Sequence, residues 1–221
     1  MDRIILDFLH ALKENNNRDW FNAHKKEYEA ARSEMEQFVD GLIADIRGFE
    51  PSLGSLTAKQ TMFRIYRDIR FSKDKTPYKT WFGAYIAPGG RKSEKAGYYL
   101  QIDPDECFAA GGAYRPQSAH LKMIRSEIYY NLGEFLEIIE NKDFKKTFGE
   151  LQGERLKRPP LGFPKDFVGI EWLKFKDYIM YAPLTEKQII VPGFGIKILE
   201  IFRKMKPMND FLNRAMEMGD V

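Results

Sequence analysis

The chain has 221 residues, of which 43% are hydrophobic and 14% aromatic, and its formal net charge is +3. This composition excludes a disordered or linker-rich chain, and the single cysteine, Cys107, excludes an intramolecular disulfide. Asp7 interrupts the first apolar run, and no stretch reaches the roughly 18 apolar residues of a membrane span. We therefore expect a soluble, cytoplasmic protein without a membrane partner.

Two helices are predicted at the start of the chain. Ile5, Phe8, Leu9 and Leu12 recur at helical spacing, which predicts an amphipathic helix over about residues 3–13. The asparagines at 15–17 end it, and an asparagine side chain there can cap the next helix. That second helix is predicted to be long, from about Arg18 to Arg47. Its apolar stripe consists of Tyr28, Ala31, Met35, Phe38, Leu42 and Ile46.

The centre of the chain is predicted to be β-rich. The first strand, Met62–Phe71, alternates between an apolar and a polar face. The apolar face carries Phe63, Ile65, Ile69 and Phe71, and the polar face carries Arg64, Tyr66, Asp68 and Arg70. Three more strands are predicted at Trp81–Ala87, Tyr98–Ile102 and Cys107–Ala110, the last closed by Gly111 and Gly112. Short connections between these strands favour antiparallel hairpins.

The second half is predicted to be mainly helical. Pro116 suits the first turn of a helix that carries Leu121, Ile124, Ile128 and Leu132. The later elements are one or two short helices within Leu136–Phe148, a stiff loop at 158–164, a strand at Tyr178–Pro183 and a helix at Ile196–Met205 that Pro207 bends or ends. With no internal repeat or flexible linker, residues 1–221 are expected to form a single α+β domain. Its mainly antiparallel central sheet would be packed by helices from both ends of the chain.

Positive charge is concentrated in one window of the sequence. From Arg64 to Lys95 there are nine basic residues against three acidic ones, although the whole chain carries only +3. The rest of the chain is therefore slightly acidic, and the positive field is local. The net charge is too small to imply nucleic-acid binding by itself.

The polar face of the first predicted strand allows two interpretations. Period-two geometry places Arg64, Tyr66, Asp68 and Arg70 side by side. In one interpretation they form an anion site, in which Asp68 orients one arginine while the other stays free for a phosphate or carboxylate. In the other they form an Arg–Asp network that ties a loop to the sheet. Asp68 and Tyr66 are also the only candidates for proton transfer.

Further basic residues could extend such a site. Lys73, Lys75 and Lys79 lie in or beside a polar loop, and Arg67 interrupts the apolar face of the strand. Clustered lysines are typical of a solvated loop, but the interleaved aromatic residues also fit a track on which nucleic-acid bases stack. Aromatic residues at alternate strand positions are more often part of a core. Arg125 is either a supporting residue of the site or a salt-bridge partner.

No pattern in the sequence indicates a metal, a cofactor or an activated nucleophile. His10, His24 and His120 are scattered, without paired-ligand spacing, and one cysteine cannot build a thiolate metal site. The chain lacks a G-x-S-x-G elbow. Gly111-Gly112 lacks the spacing of a P-loop or a dinucleotide fold, so a tight turn is expected there rather than an anion cradle.

Four motifs carry a resemblance to a known family. They are Asn16-x-Arg18-x-Trp20-Phe21, the run Arg64–Lys79, Gly111-Gly112-x-Tyr114-x-Pro116, and Arg158-Pro159-Pro160 followed by Gly162-Phe163. With them the chain resembles, over nearly its whole length, a domain-of-unknown-function family of mostly bacterial conserved hypothetical proteins. The resemblance implies one α+β domain, and it supplies no reaction, cofactor or catalytic residue.

The residues favour a protein that binds a small anionic or phosphorylated ligand, with Arg64, Arg70 and neighbouring lysines as the clamp. One alternative is a nucleic-acid-associated module that uses the same basic surface. Another is a purely structural or partner-binding domain. The sequence decides neither whether the protein is an enzyme nor what its oligomeric state is.

Overall fold

The computed structural model describes residues 1–217 and confirms the α+β class. Within these residues the chain forms ten α-helices and one antiparallel sheet with the strand order β1-β2-β3-β4. The strands are β1 (Phe82–Ile86), β2 (Gly97–Ile102), β3 (Cys107–Ala113) and β4 (Tyr178–Leu184). They confirm the four strands predicted near these positions. Short connections join β1 to β2 and β2 to β3, whereas four helices separate β3 from β4 in the chain.

The chain divides into two compact units. The first comprises Met1–Arg91, Tyr99–Ala109 and Pro183–Glu200, and the second comprises Lys92–Tyr98, Ala110–Ala182 and the described chain from Ile201. Five helices belong wholly to the first unit: α1 (Ile4–Glu14), α2 (Arg18–Ala23), α3 (Lys25–Ile46), α4 (Ala58–Thr61) and α9 (Glu186–Ile189). Four belong to the second: α5 (Ser118–Tyr130), α6 (Leu132–Ile139), α7 (Lys142–Phe148) and α8 (Ile170–Leu173). The last helix, α10 (Phe194–Glu217), has residues in both.

Aromatic rings form the core of the first unit. Phe8 on α1 contacts Phe21 on α2, Tyr28 on α3 and Phe82 on β1, with ring centroids 5.8–6.4 Å apart. The apolar faces of α1 and α3 are buried in the same core, as the helical spacing of the sequence predicts. Burial of these large rings supplies the main driving force for folding in this unit.

The second unit combines an aromatic core with an ion pair whose carboxylate is buried and whose guanidinium is partly exposed. Phe135 on α6 packs between Trp172 and Phe211, at centroid distances of 5.6 and 5.7 Å. Nearby, the buried carboxylate of Glu127 accepts two hydrogen bonds from Arg214, at 2.9 and 2.8 Å. A buried charge without a partner would be strongly destabilising, and the guanidinium removes that cost.

The prediction of one long helix over Arg18–Arg47 is wrong in one respect, because the helix is interrupted at His24. His24 has φ −106° and ψ 26°, so α2 ends and α3 begins around it. Its ring stacks on Trp20 at 4.1 Å, and its Nδ1 lies 2.8 Å from the Trp20 carbonyl oxygen. This local contact holds the backbone out of the helical region, and apolar spacing does not reveal it.

The helices of the second half also differ from the prediction. Leu132 does not continue the helix that starts near Pro116, because Asn131 (φ −123°, ψ 41°) separates α5 from α6. Pro116 itself precedes α5, which begins at Ser118. α10 continues through Pro207 to Glu217 rather than ending there. Buried side chains on both sides of the proline, Met205 and Met208 among them, hold the helix together despite the missing N–H.

Gly111 and Gly112 lie inside β3 rather than closing it in a turn. Gly112 has φ +106°, and a Cβ atom there would lie 2.0 Å from the Tyr178 carbonyl oxygen on β4. Glycine is required because two backbones approach too closely for any side chain. The tight turn predicted at these glycines is therefore wrong. In residues 1–217 no helix combines the length and apolarity needed to cross a bilayer.

Candidate functional site

The basic segment (residues 62–79) folds back on itself without forming a strand. It makes only two isolated antiparallel bridges among the described residues: Tyr66 pairs with Tyr78 inside the segment, and Met62 pairs with Ala84 on β1. The predicted strand Met62–Phe71 is therefore wrong. Pro77 lacks the N–H that a continuing ladder would use, and the Thr76 N–H is held by the Asp74 carboxylate at 2.9 Å.

The alternation of burial predicted for this segment is present over most of its length. Ile65 is buried, and Arg64, Tyr66, Asp68 and Arg70 are all exposed. The pattern fails at its end, where the Phe71 side chain is 94% exposed instead of lying on the apolar face. Because the ladder stops at Tyr66, no partner strand covers the residues beyond it.

The four residues of the polar face do not act as one cluster. Asp68 accepts two hydrogen bonds from the Arg70 guanidinium, at 2.9 and 2.7 Å. The Tyr66 ring packs instead against two other aromatic rings, with its centroid 5.9 Å from that of Phe21 and 5.5 Å from that of Tyr78. Arg64 makes no hydrogen bond or ion pair within residues 1–217. These four residues thus provide one satisfied ion pair, Asp68–Arg70, and one guanidinium without a partner in the described chain, that of Arg64.

The Asp68–Arg70 pair is a surface ion pair. Its side chains are 46% and 75% exposed. The Arg70 side chain lowers the pKa of Asp68 from its ordinary value, assisted by the Arg70 N–H and the charge of Arg64. Asp68 is therefore ionised at neutral pH, which does not favour it as a proton donor. A buried Arg–Asp network would need both charges out of water, and these two are not.

Arg67 closes the loop at the end of the segment. Its guanidinium donates to the Asp74 carboxylate at 2.5 Å and also to the Thr76 hydroxyl. Hydrogen bonds from the Thr76 N–H, from Arg67 and from the Thr76 hydroxyl lower the pKa of Asp74 to about 2. Arg67 thus has a structural role, with its charge already balanced.

The three lysines of the predicted site have different surroundings. Lys73 is exposed and has no ion-pair partner in the part of the chain that the structure describes. Lys75 donates to the Ile69 carbonyl oxygen at 2.9 Å. Lys79 lies over the Trp81 ring, with its Nζ 4.6 Å from the centroid, and burial together with the charge of Arg64 lowers its pKa. Only Lys73 and Lys75 present their charges to solvent.

The N-terminal motif meets the basic segment at Tyr78. The Asn16 amide donates to the Tyr78 carbonyl at 2.9 Å and accepts from its N–H at 3.1 Å. The Phe21 ring stacks on the Tyr78 ring at 3.9 Å, and Asn17 caps α2 by accepting from the Trp20 N–H at 2.9 Å. These contacts hold Arg18, the first residue of α2, beside the segment.

An open depression lies between these two parts of the first unit. Residues 16–18 line one side, and Ile69 and residues 75–77 line the other, around a volume of about 490 Å³. Sequence reasoning assigned Lys75 to a site but missed Asn16, Asn17 and Arg18. Their presence in a recognised motif was the available signal.

Arg125 lies in the second unit and has partners of its own there. It donates to the Phe175 carbonyl oxygen at 2.9 Å, and Tyr178 lies close enough to influence its pKa. Burial lowers its pKa, and its Nε is buried without a partner among the described residues. These contacts are those of a residue that supports the β4 region. Residues 1–217 contain no group of three or more His, Cys, Asp or Glu side chains that could hold a metal ion.

Comparison with known proteins agrees with the motifs. Residues 4–211 match the family described as "Conserved hypothetical protein (DUF2461)". The chain belongs to this family, which confirms the resemblance to a domain of unknown function. Neither a curated protein nor a solved structure matched the chain.

Proposed function

We propose that this member of the DUF2461 family binds a small phosphorylated or carboxylate-bearing ligand in the depression beside Arg18. One observation carries the proposal. Arg18 lines the depression and has no carboxylate partner within residues 1–217, while the acidic groups nearest to it in the basic segment already have theirs. Asp74 is paired with Arg67, and Asp68 with Arg70. An anion from solution would complete the charge balance at Arg18.

The lining provides the groups that anion recognition uses. A guanidinium offers a fork of N–H donors that matches two oxygens of a phosphate or carboxylate. The Lys75 ammonium has three donors and gives one to the Ile69 carbonyl, which leaves two for a ligand. Ile69 and Pro77 add apolar surface, which strengthens the electrostatic attraction by excluding water from one side.

The charges available to a ligand favour a small anion over a nucleic acid. Three cations of the basic window are already engaged, Arg67 and Arg70 by carboxylates and Lys79 by aromatic rings. Fewer charges therefore remain for a phosphate backbone than the sequence suggests. Nucleic-acid binding stays the alternative. A cytoplasmic location and a one-domain organisation stay predictions.

The test is a thermal melting screen of the purified protein against inorganic phosphate, sulfate, citrate and nucleoside phosphates. A ligand at 100 times its dissociation constant should raise the free energy of unfolding by about 2.7 kcal/mol. Arg18→Gln should weaken the binding of any hit by about tenfold or more, since a charged hydrogen bond is lost. Arg70→Gln is the matched control, an arginine of the basic segment, and should change binding by less than about twofold, because Asp68 already engages Arg70.

Two outcomes would overturn the proposal. The first is that none of the anions shifts the melting temperature of the wild-type protein. The second is that a hit binds Arg18→Gln as tightly as wild type. Binding to single- or double-stranded DNA with a slope of log affinity against log salt of about −0.9 per neutralised phosphate would favour the nucleic-acid alternative.

A further inference from the structure

A group of aromatic side chains on the second unit is only partly buried. Tyr129, at the end of α5, contacts three other rings, with centroid distances of 5.0 Å to Tyr130, 4.8 Å to Phe167 and 5.6 Å to Phe163. Tyr130 is 78% exposed. Phe163 and Phe167 belong to the proline loop, which we define as residues 157–168. The loop therefore covers only part of this aromatic group.

The proline loop adds aliphatic side chains that the fold leaves in water. Leu161 is 98% exposed and Val168 is 88% exposed. Leu161 stands at a turn in which Gly162 has φ +89°, a conformation that other residues rarely adopt. We call the six residues Tyr129, Tyr130, Leu161, Phe163, Phe167 and Val168 the apolar patch. Leu161 and Val168 lie in the same loop as Phe163 and Phe167, and apolar surface grouped in this way marks an interaction site more often than a scattered exposed residue does.

The loop is held in shape before any partner arrives. Pro159, Pro160 and Pro164 restrict the backbone around Leu161, and Pro160 is buried. Phe163 and Phe167 anchor the loop to Tyr129. A preorganised loop loses little conformational entropy on binding, so more of its contact energy becomes affinity.

The charges of the loop indicate the sign of the partner. Lys157, Arg158 and Lys165 are exposed, and none has an ion-pair partner in residues 1–217. Asp166 is the only acidic residue of the loop. Elsewhere on the same unit, lysines such as Lys174 and Lys176 pair with glutamates. The apolar patch is thus accompanied by a net positive charge that no neighbour neutralises.

We propose that the apolar patch and the proline loop bind an acidic protein segment that carries apolar side chains. Apolar residues of the partner would cover Leu161 and the rings, and its carboxylates would pair with Arg158 and the two lysines. A protein fits better than a lipid surface, because three basic residues are fewer than the four to eight of typical anionic-lipid sites. Packed tyrosine and phenylalanine rings with a nearby arginine are also enriched at protein interfaces.

The experiment selects binders from a display library of random linear peptides on the full-length protein. Enriched peptides should combine Asp or Glu with Leu, Phe or other large apolar residues. Leu161→Asp removes the apolar contact and repels carboxylates, so it should weaken the binding of these peptides by about tenfold or more. Arg158→Glu should do the same through charge alone. Ile196→Asp is the control, because Ile196 is an exposed apolar residue of the first unit, and it should leave peptide affinity unchanged.

Three results would overturn the inference. The first is that enriched peptides carry no excess of acidic residues. The second is that they bind wild type, Leu161→Asp and Arg158→Glu with the same affinity. The third is tight binding to vesicles of phosphatidylcholine and phosphatidylserine that Leu161→Asp abolishes, which would assign the patch to a membrane surface. Thermal melting of each variant verifies that loss of binding does not reflect unfolding.

Discussion

The side chain of Asn16 pairs with the backbone of Tyr78 in both directions. Its Nδ2 donates to the Tyr78 carbonyl at 2.9 Å, and its Oδ1 accepts from the Tyr78 N–H at 3.1 Å. One amide thereby satisfies both backbone groups of a residue in the basic segment, much as a neighbouring strand would. This contact positions Arg18 at the depression, so the proposed binding site depends on it.

Replacement of Asn16 by alanine should destabilise the protein. Asn16→Ala leaves the N–H and carbonyl of Tyr78 without a protein partner, and we expect the free energy of unfolding to fall by about 1–3 kcal/mol. Urea denaturation measures this loss. Asn15→Ala is the control, because Asn15 makes a single local bond to the Ala11 carbonyl at 3.0 Å and should cost less. Equal losses for the two variants would show that the pairing with Tyr78 adds nothing.

Asp68 and Arg67 should differ in their effect on stability, although both belong to ion pairs. Asp68→Ala removes a mostly exposed pair with Arg70, so its unfolding midpoint should stay close to that of wild type. Arg67→Ala removes two hydrogen bonds that close the loop at Asp74 and Thr76, and should cost about 1–2 kcal/mol. Thermal melting of the two variants measures both losses of stability. A larger loss for Asp68→Ala would restore the interpretation of a buried network.

Regular periodicity made much of the fold predictable. The helical spacing in α1 and the alternating burial along most of β2 each reflect a single buried face, and such faces repeat along the sequence. The break at His24 and the passage of α10 through Pro207 arise from contacts of individual side chains, which no period encodes. In the segment Met62–Phe71 the alternation was present, but Pro77 on the opposite side prevents a ladder.

The candidate site was only partly predictable for a related reason. The excess of basic residues in Arg64–Lys95 is visible in the sequence, but which of them are neutralised depends on folded geometry. Arg70 forms an ion pair with Asp68, two residues before it in the chain. Arg64 belongs to the same alternating face but has no ion-pair partner among the described residues. Arg18 reaches the depression because Asn16 contacts Tyr78. These two residues are far apart in the chain, so the sequence pattern does not reveal their contact.

Two glycines should respond to alanine in opposite ways. Gly41 lies inside α3, is exposed, and a Cβ atom there would meet no atom within 4 Å. Gly41→Ala should therefore raise the free energy of unfolding by about 0.5–1 kcal/mol. Gly112→Ala should prevent normal pairing of β3 with β4, because its Cβ would lie 2.0 Å from the Tyr178 carbonyl oxygen. Denaturant titrations that give the same sign for both would contradict the structure.

Cys107 should be unreactive in the native protein. The thiol is buried and donates to the Asp103 carbonyl at 2.9 Å, and burial raises its pKa to about 11. Because only the thiolate attacks a disulfide reagent, native protein at pH 8 should react with DTNB far more slowly than the urea-unfolded chain. The absorbance of the released thiolate gives both rates. Similar rates would mean that the thiol is exposed or ionised.

Asp74 should titrate well below an ordinary aspartate. Its pKa is lowered from 3.8 to about 2, first by the Thr76 N–H and then by Arg67 and the Thr76 hydroxyl. A carboxyl group with a lowered folded-state pKa contributes stability above its unfolded pKa, and that contribution is lost as pH falls through the folded value. The loop at 67–76 should therefore stay closed down to about pH 3 and open near pH 2. NMR titration of the carboxyl carbons tests this, with Asp103 as the control, since burial raises the pKa of that group. If Asp74 titrated near 3.8, the hydrogen bonds from Arg67 and Thr76 would not persist in solution.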